Sequence, residues 1–558
     1  MHIVLDWSRS GAVLAVRIDD DGAMRGERTV DLAELPAYVR DAERETPRWV
    51  WSDTRAWYPS LLAAGIRIER CVDLQLSHTI LRYSTLSASS ALARRPADAW
   101  DVRPDVADEA VEHATLFDLD QPDDRPEPRS PLQEFAAQKE AIDGSQSPGR
   151  LRLLLAAESA GALIAAEMRH AGLPYSTERH DLLLTGLLGP RPLTGGRPAV
   201  LEQLTSEIRA TLDAPALNPD SPPELLRALQ RTGLIVTSTR SWELRKLEHP
   251  VIEPLLRYKK LSRLLTANGW TWLDAWIRDG RFRPDYLPGG VVTGRWATKG
   301  GGALQLPRQV RGAVVADPGW KLVVADAAQL EPRILTGLSA DTAMAAAGRG
   351  KDLYEGIVAS GAVDERAHAK VAMLGAMYGA TTGESGRLMP RLTRAFPRAI
   401  RLVEDAARAG ERGEVVTSRL GRSSPRPGSA WLAAQSAASG ADSTDAEERR
   451  ARSQARDWGR FTRNFVVQAS AAEWALCWMA ELRKQLTSMA PERRLEEGPH
   501  LVYFLHDEVI VHTPEGLADR AADAVTAAAA QAGRLLFGDF PVEFPVTAAI
   551  VDNYAEAK

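Results

Sequence analysis

Residues 321–335 read KLVVADAAQLEPRIL, and the fold of the larger part of the chain turns on this stretch. Leu322 to Ala325 form a short apolar run, the mark of a buried strand, which delivers Asp326 just before a helical pattern begins. An Asp there also suits a helix cap, so the stretch alone leaves its purpose open. In LVYFLHDEVIVHT, 501–513, two β-branched and aromatic runs flank His506, Asp507 and Glu508, which predicts a hairpin with the charged trio at its tight turn. A solvated polar turn would look similar, but His-Asp is a poor turn pair beside Asn-Gly or Asp-Gly, so side chains rather than backbone geometry select these positions. In ERAHAKVAMLGAMYGAT, 365–381, Arg366, Lys370, Leu374 and Tyr378 follow at four-residue steps. On a helix they form one stripe, with two cations at one end and an aromatic at the other. Seen singly, that stripe is the solvated face of an amphipathic helix.

Together the three stretches carry chemistry. Two carboxylates from separate strands can hold two divalent cations about 3.5–4 Å apart, the arrangement used for in-line displacement at phosphorus. Arg and Lys one helical turn apart can hold the charged tail of a triphosphate, with Tyr378 left near its base or sugar.

Composition bounds the rest. The chain has 558 residues, 44% hydrophobic and 26% charged, ordinary for a soluble globular protein and long enough for three to five structural units. A net charge of −5 argues at face value against a phosphate-rich partner. The charge is uneven, however: residues 1–165 carry 19 basic and 28 acidic residues, and 166–558 carry 50 and 46. The Pro-rich stretch 96–149 alone holds 14 acidic against 4 basic residues and reads as a poorly ordered surface excursion. The global charge is therefore a poor guide to what the larger part of the chain binds. Cys71 and Cys477 lie far apart, which indicates neither a disulfide framework nor a zinc site. No signal peptide and no apolar run of about 18 residues is visible, so a cytoplasmic location is expected.

The first 90 residues read as α/β, with strands in MHIVLDW, GAVLAVRI and RWVWSD and a helix around WYPSLLAAG. Helices are expected at about 150–170, 197–213, 222–266, 363–390, 398–410, 458–488 and 515–537. Residues 287–307 read as Gly-rich and strand-like, 420–445 as a long loop or insert, and VEFPVTAAIV as a last strand.

The order TGRW (293–296), LQLP (304–307), DAAQLEPR (326–333), R-x3-K-x7-YG (366–379), R-x3-N-x3-Q (460–468) and HDE (506–508) resembles the family A DNA polymerases, the bacterial DNA polymerase I group, over roughly residues 165–558. The resemblance implies a multidomain α/β and α+β chain: a ribonuclease H-like exonuclease-type domain at 1–165, with the acidic insert at about 96–149, then a right-hand polymerase at 166–558. Within the latter it places the thumb at about 195–270, the palm at about 271–340 and 458–558, and the fingers at about 341–457. Asp326 and Asp507 then correspond to the palm carboxylates that bind two Mg²⁺, with Mn²⁺ as a substitute and Glu508 beside them as a further candidate ligand. Arg366 and Lys370 match residues that hold the triphosphate, and Lys370 is the implied proton donor to pyrophosphate. Tyr378 matches the residue against which the nascent pair packs. Glu331 matches the steric gate against a 2′-OH, and Gln329, Leu374 and Tyr354 complete the nucleotide site. His506, Gln468 and Arg295 match contacts to the primer terminus and minor groove; Arg460 and Asn464 match template contacts. Leu374 stands where the family has Phe or Tyr, Tyr354 where a His is common, and Ala327 and Pro332 where Tyr and Leu are typical.

The family's proofreading unit needs about four carboxylates for its two metals. Here the first strand reads Leu5-Asp6-Trp7-Ser8, with Ser8 at the Glu position; Trp57 stands near the second Asp, and Leu155 with Ser159 replace the last motif. Asp53, Asp73 and Glu158 lie at the wrong offsets. A structural remnant is expected, and no 5′-nuclease domain, because the chain opens on this unit. The implied function is template-directed DNA synthesis on a primer-template with deoxynucleoside triphosphates, in repair or gap filling, by a bacterial cytoplasmic, nucleoid-associated monomer without membrane contact. The alternatives are a DNA-binding scaffold with a weak or dead polymerase fold, a bifunctional enzyme with residual 3′–5′ exonuclease, and RNA synthesis, the last disfavoured by Glu331.

Overall fold

A computed structural model describes residues 1–8, 11–102, 129–193, 195–380, 383–440, 443–491 and 494–557. A five-stranded sheet opens the chain, in the order Met24–Val30, Val13–Ile18, His2–Trp7, Arg48–Trp51, Arg70–Asp73. His2–Trp7 runs antiparallel to Val13–Ile18 and parallel to Arg48–Trp51. Trp49, Val50 and Trp51 are all fully buried, as expected of a parallel strand covered on both faces. Its core joins Val4, Val16, Ile18, Val50 and Leu74 to Trp100. Asp53 and Asp73, at the ends of two parallel strands, cap the helices Thr54–Ala63 and Leu74–Tyr83.

The expectation of a poorly ordered excursion over 96–149 is corrected where the chain is described; 103–128 lies outside the described residues. Ser130 and Gln133 form a capping box that starts the helix Pro131–Asp143. Leu132 and Phe135 pack on the sheet core, and Glu134 is wholly buried against His78 at 2.8 Å and against Arg129. The flank's acids are thus partly neutralised internally, which composition could not reveal.

Two compact units emerge from the described residues. The smaller comprises 172–284, 300–322 and 551–558. The helix expected over 222–266 is broken there into Pro222–Arg231, Ser241–Leu244 and Ile252–Asn268. Gly233 at φ 84° stops the first piece, and Pro250 forbids a continuous backbone into the third. A cavity of about 1100 Å³ beside Ile252–Asn268 is lined by Arg245, Arg257, Lys259, Lys260 and Arg263, with Glu248 and Glu253.

The larger unit comprises 1–171, 285–299 and 323–550. A second sheet, in the order His500–Leu505, Glu508–Pro514, Trp320–Ala327, Val546–Val551, has Trp320–Ala327 as an inner strand. The helix expected over 363–390 is two helices, Arg366–Tyr378 and Gly383–Ala395. Gly379 ends the first at φ 76°, donating to the Gly375 carbonyl. The strand-like reading of 287–307 yields only Tyr286–Leu287 paired with Ala297–Thr298, followed by short 3₁₀ turns. The loop expected at 420–445 contains a helix, Ser429–Ala438. The next helix begins at Asp445 rather than 458 and runs to Met489, started by a Thr444–Glu447 capping box. The helix expected at 515–537 is Ala518–Phe537 after a 3₁₀ turn. No helix among the described residues is long and apolar enough to cross a membrane, and both cysteines are buried and free.

The long helix carries a buried carboxyl, Glu473, which accepts from Ser418 Oγ and from Leu420 N at 2.8 Å. Burial pushes its pKa up to about 7 against these bonds. The native chain then holds a proton that the unfolded chain has lost between about 4.5 and 7, and stability falls as the pH rises through that window. Urea unfolding at pH 5 and pH 8 should show a larger loss in the wild type than in Glu473→Gln, the difference being on the order of 3 kcal/mol. Equal pH dependence in both proteins would refute it.

Candidate active site

Strand Trp320–Ala327 buries Leu322, Val323, Val324 and Ala325 and leaves Asp326 half-buried near its end. The neighbouring hairpin turns at His506 and Asp507, with His506 at φ 58°. Ala327 N donates to the Asp507 carbonyl at 2.9 Å. This backbone bond sets the residues bearing both carboxylates side by side at one end of the sheet. The sequence predicts Glu508 in the turn with His506 and Asp507, but it instead opens the strand Glu508–Pro514, pairs with Leu505 and is 2% exposed. Burial, then the nearby Arg295, holds the His506 imidazole below its ordinary pKa.

Helix Arg366–Tyr378 buries Ala369, Ala372, Met373, Ala376 and Met377, and turns Arg366, Lys370 and Tyr378 outward with Leu374 half-buried. Arg366 donates to Asp352 Oδ2 at 2.8 Å and lies over the Tyr354 ring at 5.5 Å. The same Asp352 accepts from Gln329 and caps the helix Leu353–Ala359. Burial, reinforced by Glu331 and Asp352, pushes the Tyr354 phenol up to about 12, so it remains a neutral ring under the guanidinium. Tyr378 Oη donates to Glu331 Oε2 at 2.9 Å and accepts from Gln468 Nε2 at 3.3 Å, while Glu331 pairs with Arg295. Four residues from four separate stretches therefore meet in one polar chain, Arg295–Glu331–Tyr378–Gln468.

Arg460, Asn464 and Gln468 share one face of the long helix at four-residue steps. Arg460 pairs with Asp457 and packs its methylenes on Gly379, where an added Cβ would sit 2.9 Å from Arg460 Cγ. Asn464 Nδ2 is buried with no hydrogen-bond partner. Two residues that sequence reasoning passed over hold this site. Asp352 had a helix-cap signal before LYEGIVA, and Arg333, inside the quoted DAAQLEPR, is 2% exposed and donates to the carbonyls of Gly348, Lys351 and Glu543.

In the N-terminal sheet, Asp6 accepts from Trp7 N at 2.8 Å, and burial raises its carboxyl pKa. Trp57 is buried and stacks on Trp7 with ring centroids 4.7 Å apart. Ser159 donates to the Leu155 carbonyl and accepts from Asp73 N. Glu158 faces Arg422 at 2.8 Å. Asp53, Asp73 and Glu158 thus serve caps or an ion pair. His78, Asp98 and Asp101 could bring ligand atoms within 4.8 Å of one another, but Arg82 lies 3.1 Å from Asp101 and Arg95 lies 3.4 Å from Asp98, so arginines already supply the positive charge.

The chain matches the family model described as DNA polymerase family A over residues 198–556. It is 26% identical over 323 residues to the thermostable DNA polymerase I of Thermus filiformis, covering 52% of this chain and 35% of that protein. It is 27% identical over 328 residues to DNA polymerase I of Chloroflexus aurantiacus, covering 53% and 32%. The chain spans about a third of the length of these curated relatives. It shares its fold with the POL domain of Pol1 from M. smegmatis, solved in complex with DNA primer-template and dNTP, at a TM-score of 0.65 and 19% identity over 98% of this chain and 93% of that one.

Proposed function

This chain belongs to DNA polymerase family A, and on that premise we propose that it extends a DNA primer along a template by phosphoryl transfer from deoxynucleoside triphosphates. The observation that carries the reading is the Ala327–Asp507 backbone bond, which puts Asp326 and Asp507 at one sheet end. Two carboxylates, one near the end of an inner strand and one in the adjoining hairpin turn, suit hard divalent cations such as Mg²⁺. When bound there, such ions lower the pKa of the primer 3′-OH and neutralise charge on the triphosphate and pyrophosphate.

The remaining roles belong to the protein's own side chains. Arg366 exchanges Asp352 for the triphosphate, and exposed Lys370, one turn along, protonates the departing pyrophosphate. Glu331, held between Arg295 and Tyr378, closes the space beside the 2′ position of the sugar. Gln329, Leu374 and Tyr354 shape the rest of that pocket. His506, Arg295 and Gln468 meet the primer end, and Arg460 and Asn464 the template. The basic cavity beside Ile252–Asn268 fits the backbone of the duplex and supports a thumb at about 195–270. The palm, fingers and exonuclease-like boundaries given by the sequence complete this division of labour. The DNA-bound M. smegmatis domain supports primer-template and dNTP as partners. Among the described residues of the N-terminal region, Asp53, Asp73 and Glu158 are taken by helix caps or an ion pair, and on that ground the unit does not proofread; the role is repair or gap filling in the bacterial cytoplasm, by a monomer associated with the nucleoid.

A labelled primer-template with Mg²⁺ and either dNTPs or NTPs tests the reading. The wild type should extend with dNTPs, and Glu331→Ala should raise NTP use relative to dNTP use by about tenfold or more. With nucleotides omitted, the primer should keep its length. No extension by the wild type would leave a DNA-binding scaffold, and shortening lost in Asp6→Ala would restore the exonuclease.

A further inference from the structure

Resting on that polymerase reading, we infer that Glu158 is a positioning residue for DNA synthesis: through Arg422 it fixes the turn that carries Arg295. The turn is tight, with Gly294 N donating to the Val291 carbonyl at 2.7 Å and Val291 N to the Arg295 carbonyl at 3.1 Å. Gly294 sits at φ 81°, and a Cβ there would lie 2.4 Å from Arg422 Nε, so the turn rests directly on that guanidinium. Arg422 Nη2 in turn donates to Glu158 Oε2 at 2.8 Å, with side-chain exposures of 10% and 1%. Glu158 Oε1 presses on the same segment from below, 2.6 Å from where a Cβ on Gly289 would stand. Both glycines are therefore required by this one ion pair.

The pair is itself braced from two sides. Arg422 N donates to Ser418 Oγ at 2.8 Å, and Ser418 is held by Glu473 of the long helix. Glu158 belongs to the helix Pro148–Ala171. From that helix Arg169 also grips Asp285 at 2.8 Å, at the start of the segment 285–299. Tyr286 Oη donates to the Phe504 carbonyl at 2.6 Å, in the strand that leads into the turn at His506 and Asp507. Segment 285–299 is thus clamped between the N-terminal region and the hairpin, and Arg295 leaves the clamp aimed at Glu331. A displaced turn moves Arg295, which loosens Glu331 and Tyr378 in sequence. The helix whose family counterpart bears proofreading acids here sets the geometry of synthesis instead.

A double-mutant cycle between Glu158→Gln and Arg295→Ala, read as kcat/KM for dNTP per active site, separates this from a general structural role. Glu158→Gln alone should lose about tenfold, and Arg295→Ala about a hundredfold. The double variant should match Arg295→Ala within about twofold, because Glu158 then has nothing left to position. An undiminished Glu158→Gln, or a further tenfold loss in the double variant, overturns the inference while leaving the polymerase reading intact. A wild type that does not extend primers defeats both together. Should Glu158→Gln fail to fold, Arg422→Lys keeps the ion pair but removes the planar group under Gly294, and the same cycle applies with the same expected outcomes.

Discussion

Replacing Asp507 or Asp326 by Asn should lower primer extension by about a thousandfold or more while leaving the folded state intact. The amide keeps the shape of the carboxyl but carries no charge, so a site for two divalent cations loses half of its protein anion. The backbone bond between Ala327 N and the Asp507 carbonyl does not involve either side chain, and the strands should stay in register. The two losses should be non-additive, since either variant alone disables the shared centre. Single-turnover extension in Mg²⁺, with circular dichroism as the control for folding, makes the measurement. An Asp507→Asn protein that extends primers at the wild-type rate would remove the basis of the proposed function.

The second large effect concerns a buried ion pair. Glu167 and Arg483 form a buried bidentate pair at 2.7 and 3.0 Å, to which Tyr58 Oη adds a bond at 2.7 Å. Arg483 spends its other donors on the carbonyls of Ile68 and Glu69. Removing one partner strands a buried charge, so Glu167→Ala should cost about 3–5 kcal/mol of unfolding free energy. Replacing both residues by Met should recover part of that loss, because the Arg483 charge is then no longer stranded, although Arg67, 3.7 Å from Glu167, loses its partner as well. Burial alone would raise the Glu167 carboxyl, but Arg483 and then Arg67 overcome it and hold it at about 2. The pair's contribution is therefore present above about pH 4.5 and disappears as the pH falls through about 2. Urea titration of the wild type, the single variant and the double variant at pH 7 tests the claim. A single variant as stable as the wild type would show that the pair contributes nothing.

The elements that were legible in the sequence are those whose pattern is local. Leu322 to Ala325 are apolar because both faces of their strand are covered, and the hairpin around His506 and Asp507 is flanked by two such runs. The stripe from Arg366 to Tyr378 was readable because its opposite face is packed with alanine and methionine. Met24–Val30 was missed because an edge strand with six exposed residues shows no alternation. The start of the long helix was missed because DAEERRARSQARD is polar all round, although Thr444 and Glu447 carried the capping-box signal. The break at Gly379 carried a helix-stop signal, a glycine with the polar run TTGESG shortly after it, that the apolar pattern before it masked. The pairs Asp352–Arg366 and Glu158–Arg422 join positions 14 and 264 residues apart, and no spacing rule brings them together.

The helix Asp445–Met489 is a single rod of 45 residues, about 68 Å long at 1.5 Å per residue. Its far end is pinned by Arg483, and Arg460 stands 23 residues away, about 35 Å along the axis. Beside Arg460 the rod is held again, by Thr462, which donates to the Ala406 carbonyl at 2.7 Å, and by Arg463, which donates to the Ala376 carbonyl at 2.9 Å. One continuous element therefore joins the buried Glu167–Arg483 pair to the face that carries Arg460, Asn464 and Gln468, so on the proposed function strain at that pair would be felt where the template is held.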